Sequence, residues 1–248
     1  MPETLTDDPY GIDALRRAKN IKEAIPAVAA QVRLLLAPDQ VVELRAIKVR
    51  RSSGRPHTEA GFFDVEHLED MAKAALGISP HAQGVYFSLN PIRPDLLARR
   101  ANRIDWAEEG ELAKDKDVLV RRWVLIDADP VRDSHISANS DEKMAAQDTV
   151  IAVREHLRGR SWPEPILADS GNGFHLLYRV DLPAEDGGLV KRLLQALAAK
   201  FDTDRVHIDQ SVFNPARICK LPGTWARKGD HTELRPYRRA SLVEAPIP

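Results

Sequence analysis

A chain of 248 residues is long enough for one large domain or two intimate ones, and 43% hydrophobic with 29% charged residues is the balance of a soluble globular protein. No apolar run reaches the roughly 18 residues of a membrane span, so no membrane partner is expected. A net charge of −1 excludes a globally basic nucleic-acid binder but not a local basic patch, and the lone Cys219 excludes an intrachain disulfide or a Cys-rich zinc cluster.

The acidic N-terminus lacks a basic, apolar, small-residue signal pattern, which predicts a cytoplasmic protein. Residues 1–20 are polar and predict a flexible arm. Ile21, Ile25, Val28, Val32 and Leu35 recur at helical spacing, with Pro26 inside the pattern, so the regular helix is expected to begin near that proline. Residues 41–49 alternate as a strand, with Val41, Glu43, Arg45, Ile47 and Val49 on one side and Val42, Leu44, Ala46 and Lys48 on the other. The basic loop after it (Arg50, Arg51, Gly54, Arg55, Pro56) reads as a solvated loop or as a contact to a phosphate backbone. Asp64 is placed to cap a helix with Val65, Leu68, Ala72 and Leu76 inward, ended by Gly77 and Pro80. Residues 84–89 form a strand that delivers an Asn90-Pro91 turn. A short basic helical stretch over 93–103 and a charged, exposed connection over 106–118 follow.

Residues 121–129 read Arg-Arg-Trp-Val-Leu-Ile-Asp-Ala-Asp: an apolar strand running into two aspartates. Period-2 alternation sends Asp127 and Asp129 to the same side, where they repel and are best tolerated around a divalent cation, although Asp-x-Asp also opens turns. Asn139 or Ser140 caps the next helix, whose stripe is Ala146, Val150, Val153 and Leu157. Residues 166–169 and 174–180 flank the Ser170-Gly171-Asn172-Gly173 turn and predict a hairpin. Leu189, Leu193, Leu197 and Phe201 mark the last long helix, and from Arg205 the chain predicts strands and loops. Strand, helix, strand, strand, helix, strand predicts an α+β fold. It is a small mixed or antiparallel sheet with helices on one face, beside an N-terminal α/β unit that shares its cleft. The expected boundaries are 1–20 for the arm, 21–105 for the N-terminal unit and 106–248 for the second unit.

Three further constellations carry chemistry. The turn over 170–173 offers backbone N–H groups to an anion, with His175 just beyond it; it is equally a plain hairpin turn. Asp209 ends the short apolar segment Val206-His207-Ile208, as a metal ligand or as a turn cap. Eight basic residues (Arg205, Arg217, Lys220, Arg227, Lys228, Arg235, Arg238, Arg239) face only Asp209, Asp230 and Glu233 over 205–239. In a chain of net charge −1 this concentration points to phosphate binding, or else to a charged C-terminal surface.

Taken in order, Asp127-Ala128-Asp129, Gly173-Phe174-His175 and Ile208-Asp209 resemble the three motifs of the archaeo-eukaryotic primase superfamily. The flanks over 85–91 and 212–224 resemble its primase-polymerase branch from bacterial mobile elements and phages, so the likeness spans roughly 41–239. The resemblance implies an RRM-like catalytic sheet joined to the N-terminal unit. It implies that Asp127, Asp129 and Asp209 are catalytic and hold two divalent ions, Mg²⁺ or Mn²⁺. It implies that His175 meets the phosphates of a nucleoside triphosphate, with Ser170, Gly171, Asn172 and Gly173 nearby, Arg217, Lys220 and Lys228 on the triphosphate, and Tyr86 and Asn90 at the sugar or base. The implied partners are a single-stranded DNA template, a primer strand and a helicase domain or protein. Gly173 departs from the usual serine of the second motif. A metal-dependent nuclease on a related scaffold and a non-catalytic replication-initiation or nucleic-acid-binding module are the competing readings.

Overall fold

The structure, a computed structural model, describes residues 8–50 and 54–246. Arg51 of the basic loop lies outside the described residues. The expected arm instead contributes a helix: α1, Ile12–Arg17, buries Leu15. The next helix, α2, runs Ile21–Leu35 and carries Pro26 in its interior. It starts before the proline because Asn20 caps it, accepting the Glu23 N–H at 3.0 Å, while the Glu23 carboxylate accepts the Lys19 N–H at 2.8 Å. Satisfying orphan N–H groups at the helix start outweighs the one bond lost at the proline.

Three strands follow: β1 (Val42–Val49), β2 (His57–Phe63) and β3 (Gly84–Ser88), with α3 (Leu68–Ile78) between the last two. Strand β1 is irregular between Ala46 and Val49, and Lys48 has φ +50°. This bulge moves Val49 into the core with Val42, Leu44 and Ala46, against the simple alternation expected for the strand. The short β4, Asp105–Trp106, pairs with β2 at the edge. Within 106–118 the chain is less exposed than its charge suggests, since Ala107, Ala113, Asp117 and Val118 are buried.

The long strand β5 (Val120–Pro130) begins a strand–helix–strand–strand–helix–strand run: α4 (Ser140–Arg158), β6 (Ile166–Asp169), β7 (Phe174–Pro183), α5 (Leu189–Phe201) and β8 (Val206–Ile208). Asn139 and Glu142 form a reciprocal capping box at the start of α4, and the stripe Ala146, Val150, Val153 and Leu157 is buried as expected. In α5 the inward residues are Val190, Leu194, Leu197 and Ala198, with Leu189 exposed, so the buried stripe is rotated by about one position from the expected one. Short strands close the chain: β9 (Ile218–Lys220), β10 (Trp225–Ala226), β11 (Arg238–Arg239) and β12 (Ser241–Glu244).

The second sheet has the order β12-β6-β7-β5-β8, with every adjacent pair antiparallel. Without the appended β12 this is the split βαβ arrangement of RRM-like folds, and α4 and α5 pack on it. The fold class is therefore α+β, as the sequence predicts. The first sheet has the order β4-β2-β1-β3-β9, and β9 reaches it from the C-terminal half of the chain. One hydrophobic cluster joins both sheets, including Leu44 and Phe87 from the first and Trp123, Ile126 and Leu176 from the second. Two polar braces reinforce the joint. The Trp123 indole N–H donates to the Leu35 carbonyl at 2.8 Å. The Asn90 side chain accepts the N–H groups of Arg122 (2.9 Å) and Trp123 (3.0 Å) and donates to the Pro215 carbonyl at 3.0 Å.

Trp123→Phe keeps most of the ring volume but leaves the Leu35 carbonyl without its partner in a buried place. It is expected to lower unfolding free energy by about 1–3 kcal/mol, measured by denaturant titration; an unchanged midpoint would mean that the bond contributes nothing to the joint.

Candidate active site

A pocket of about 270 Å³ opens between the two sheets. Strand β5 supplies Leu125, Asp127 and Asp129, β7 supplies His175, and the β6–β7 turn supplies Ser170 and Asn172. Ile47 and Tyr86 come from the first sheet, and Asp209, Val212, Arg217, Ile218, Lys220 and Lys228 come from the C-terminal part. Ten of the residues singled out in the sequence thus meet in one place.

Backbone pairing explains the convergence. Antiparallel register sets Asp127 opposite His175 on β7 and Asp129 opposite His207 on β8. One further bond, from the Asp209 N–H to the Asp127 carbonyl at 2.8 Å, ties the backbone of the third acid to β5, and its side chain lines the same pocket. Asp209 also caps the turn after it, accepting the Ser211 N–H at 2.7 Å, so both of its expected roles coexist.

The charges are strongly interdependent. His175 is 5% exposed. Burial works against its protonation, yet the Asp127 carboxylate, with Nε2 and Oδ1 3.4 Å apart, raises its pKa well above the ordinary histidine value. Its Nδ1 lies 3.7 Å from the Cys219 sulfur. For Asp127, burial opposes ionisation, but His175 and then Lys228 and Arg132 hold its pKa below the usual carboxylate value. Burial and the Asp127 charge raise the pKa of Asp129, which keeps 40% side-chain exposure and a long ion pair to Arg132 at 3.7 Å. Tyr86 is pushed up to about 12 by burial and by both aspartates, so its hydroxyl keeps its proton.

The donor set fits a hard divalent cation. Asp127 Oδ1 is buried, and 3.4 Å to His175 is ion-pair reach rather than a well-formed hydrogen bond, so this oxygen has no hydrogen-bond partner. Among the described residues no three His, Cys, Asp or Glu side chains stand close enough to make a complete cage. The protein therefore offers a partial set of oxygens, the arrangement in which Mg²⁺ completes its shell with water and substrate phosphates.

The basic residues are held differently. Arg217 donates from Nε to Asn214 Oδ1 at 3.0 Å and from Nη2 to the Ser211 carbonyl at 2.6 Å, which positions its guanidinium at the pocket wall. Lys220, 7% exposed, donates to the Trp225 carbonyl at 2.7 Å and lies 5.2 Å from the centre of the Tyr86 ring. Burial lowers its pKa to about 7. Lys228 lines the pocket close enough to lower the pKa of both Asp127 and Asp129.

Three of the candidates sit elsewhere or act otherwise. Asn90 is 4% exposed, lies outside the pocket and spends its amide on the brace between the sheets. Gly171, at φ +93°, lets the turn lie against Ala226, where a Cβ would come within 2.6 Å of that side chain. Gly173 crosses β5 so closely that a Cβ would stand 2.3 Å from the Ala128 carbonyl oxygen and 3.1 Å from Asp129 Oδ1. That contact leaves no room for a side chain at this position. The turn also uses its own donors: Ser170 Oγ accepts the Gly173 N–H at 3.0 Å, and Asp169 accepts the Gly171 N–H at 2.6 Å. Asn172 accepts the Ala138 N–H at 2.9 Å, tying the turn to the segment before α4. Arg132, beside Asp129, and Cys219, beside His175, were not singled out in the sequence. The signal for Arg132 is a cation three residues after Asp129; for Cys219 there is none, since its approach to His175 joins two sheets.

No protein-family model matches the chain, and no curated protein matches it. Among solved structures the chain is similar to the polymerase domain from Mycobacterium tuberculosis Ligase D in complex with DNA, at 15% identity and a TM-score of 0.45, covering 95% of this chain and 86% of that one. A likeness this distant carries no argument about the site.

Gly173→Ser is expected to force β7 away from β5 and cost about 1–3 kcal/mol of stability, read from thermal or denaturant unfolding; a stability equal to the parent would mean that the strands separate freely. Lys220 sets a pH dependence whose sign is definite. The folded residue loses its proton near pH 7 and the unfolded one near 10.5, so between these values the unfolded chain holds more protons and stability rises with pH. Lys220→Met is expected to flatten the rise in Tm across that window relative to the parent protein.

Proposed function

We propose that this protein is a template-directed nucleotidyltransferase of the primase-polymerase type. It joins a nucleoside triphosphate to a primer 3′-hydroxyl or to another nucleotide on single-stranded DNA. The observation that carries the reading is the meeting of Asp127, Asp129, His175 and Asp209 with Arg217, Lys220 and Lys228 in one pocket. Acids alone would suit a nuclease, whereas acids beside a bank of cations suit a triphosphate and its leaving pyrophosphate.

In this reading Asp127, Asp129 and Asp209, a partial oxygen set that water and substrate phosphates would complete, would hold two divalent ions, Mg²⁺ or Mn²⁺, which would supply charge neutralisation and a lowered hydroxyl pKa. His175, whose pKa the Asp127 carboxylate raises, presents its imidazole N–H to the phosphates. Arg217 is fixed by Asn214 and the Ser211 carbonyl before a ligand arrives, so little ordering remains to be done on binding. Lys220 is uncharged in part near pH 7 and gains its proton when phosphate oxygens replace the desolvated surroundings. The Tyr86 ring, packed beside Lys220, offers a flat face to the sugar or base. The two sheets then work as one primase-polymerase domain, and a helicase domain or protein is the partner that would expose its template.

The test is incubation with a single-stranded template and labelled nucleotides in Mn²⁺, with and without a primer. Extension or dinucleotide product is expected from the parent protein. Asp127→Ala and Asp129→Ala are each expected to lower transfer by at least about a hundredfold while leaving DNA binding in place. Absence of product from the parent protein sinks the reading, and shortening of the DNA favours the nuclease.

A further inference from the structure

A second pocket, of about 550 Å³, takes in the sequence neighbours of two active-site residues: Lys48 follows Ile47, and Arg227 precedes Lys228. Its lining includes Lys48, Arg50, His81, Arg227 and Tyr237, with Asp230 as its one acid. Lys48 and Arg50 are exposed, and among the described residues no carboxylate pairs with Lys48, Arg50 or Arg227. Lys48 is presented by the β1 bulge at φ +50°, a conformation that side chains other than glycine seldom adopt. The bulge therefore turns a lysine outward at the same point where Ile47 faces the candidate active site.

The two-stranded ribbon of β10 and β11 adjoins this pocket. Trp225 pairs with Arg239 and Ala226 with Arg238. The Arg239 guanidinium lies over the Trp225 ring at 4.9 Å, and just past the paired residues the Arg227 guanidinium lies over the Tyr237 ring at 5.1 Å. The two pairs are two residues apart in both segments, about 6.6 Å in extended backbone, the spacing that returns side chains to one side. The alternate residues face the other way: Ala226 packs on Gly171 and Lys228 lines the active-site pocket. The Trp225 N–H donates to Ser79 Oγ at 2.8 Å, which seats the ribbon beside Pro80 and His81 of the second pocket.

We propose that this ribbon face and the basic pocket beside it form a binding track for single-stranded nucleic acid. The pocket cations take successive backbone phosphates, and the Trp225/Arg239 and Tyr237/Arg227 stacks take successive bases. Cations alone would suit any polyanion. Two cation–aromatic pairs two residues apart suit unpaired bases, which expose a π-face that a duplex and a lipid headgroup lack. The track deepens the proposed function by assigning the template strand to the outer face of the segment that carries Lys228, and only the word template rests on that reading.

Binding is read by fluorescence anisotropy with a labelled oligothymidylate of about 16 nucleotides, in EDTA and without nucleoside triphosphate. The combined Lys48→Gln, Arg50→Gln and Arg227→Gln variant is expected to weaken binding by at least about tenfold and to reduce the slope of log K against log salt by about 2. Tyr237→Leu alone is expected to weaken it by about tenfold. Binding of a short nucleoside triphosphate in the cleft is expected to stay unchanged in both. Photocrosslinking of an iodouridine-bearing oligonucleotide to the unaltered protein needs no variant to fold, and adducts are expected at Trp225 or Tyr237. Unchanged affinity and salt slope in the triple variant, adducts confined to Tyr86, or a preference for duplex DNA or phosphatidylserine vesicles over the oligonucleotide would each overturn the track. A parent protein that binds the oligonucleotide through the ribbon yet transfers no nucleotide keeps the track and sinks only the enzymatic reading.

Discussion

Two carboxylates on one face of a central strand are the constraint on which the rest of this structure is arranged. Asp127 and Asp129 repel, and β5 cannot carry them in a half-buried cleft without cations at close range. The nearest is His175, on the strand paired directly opposite, and its own burial is tolerable only because Asp127 is there. Each group is expensive alone and acceptable beside the other. Lys228 and Arg132 approach the same pair from segments outside the sheet, which disperses the residual charge without closing the cleft.

That arrangement dictates local details which otherwise look arbitrary. Strand β7 must pass close to β5 for His175 to reach Asp127, and the crossing point at Gly173 has no room for a side chain. The turn before it is held by its own hydroxyl and carboxylate, and Lys143 of α4 grips Asp169 at 2.5 Å. The pocket floor is thus rigid and acidic. Its walls are basic and come from elsewhere: β9 crosses to the first sheet and carries Lys220 to Tyr86. A cleft with an acidic floor and basic walls separates the groups that prefer cations from those that prefer phosphate oxygens.

Much of this was legible in the sequence where a local rule applied. The α4 stripe and its Asn139 cap follow from helical period and capping chemistry, and the hairpin around 170–173 follows from its glycines. The acidic pair was legible because strand alternation needs no tertiary information. Other elements were not. Pro26 suggested a late helix start, but the competing Asn20–Glu23 cap prevailed. The spacing marked Leu189, Leu193, Leu197 and Phe201 as the α5 stripe, but packing on the sheet buries Val190 and Leu194 instead of Leu189 and Leu193. Asn90, a turn residue in sequence, is a brace because segments far apart in the chain bring it three backbone partners.

The sequence by itself determined the strand–helix–strand–strand–helix–strand order from β5 to β8, though not α1 or β2, the placement of two acids on one side of β5, and the concentration of basic residues over 205–239. Those are consequences of period, capping and composition, which act between near neighbours. Tertiary structure alone decided that Asp209 lines the pocket of the pair, that His175 meets Asp127, and that Lys228 and Arg227, adjacent in sequence, line different pockets. The physical reason is that charge compensation depends on distance through space, and strand pairing between remote segments sets that distance.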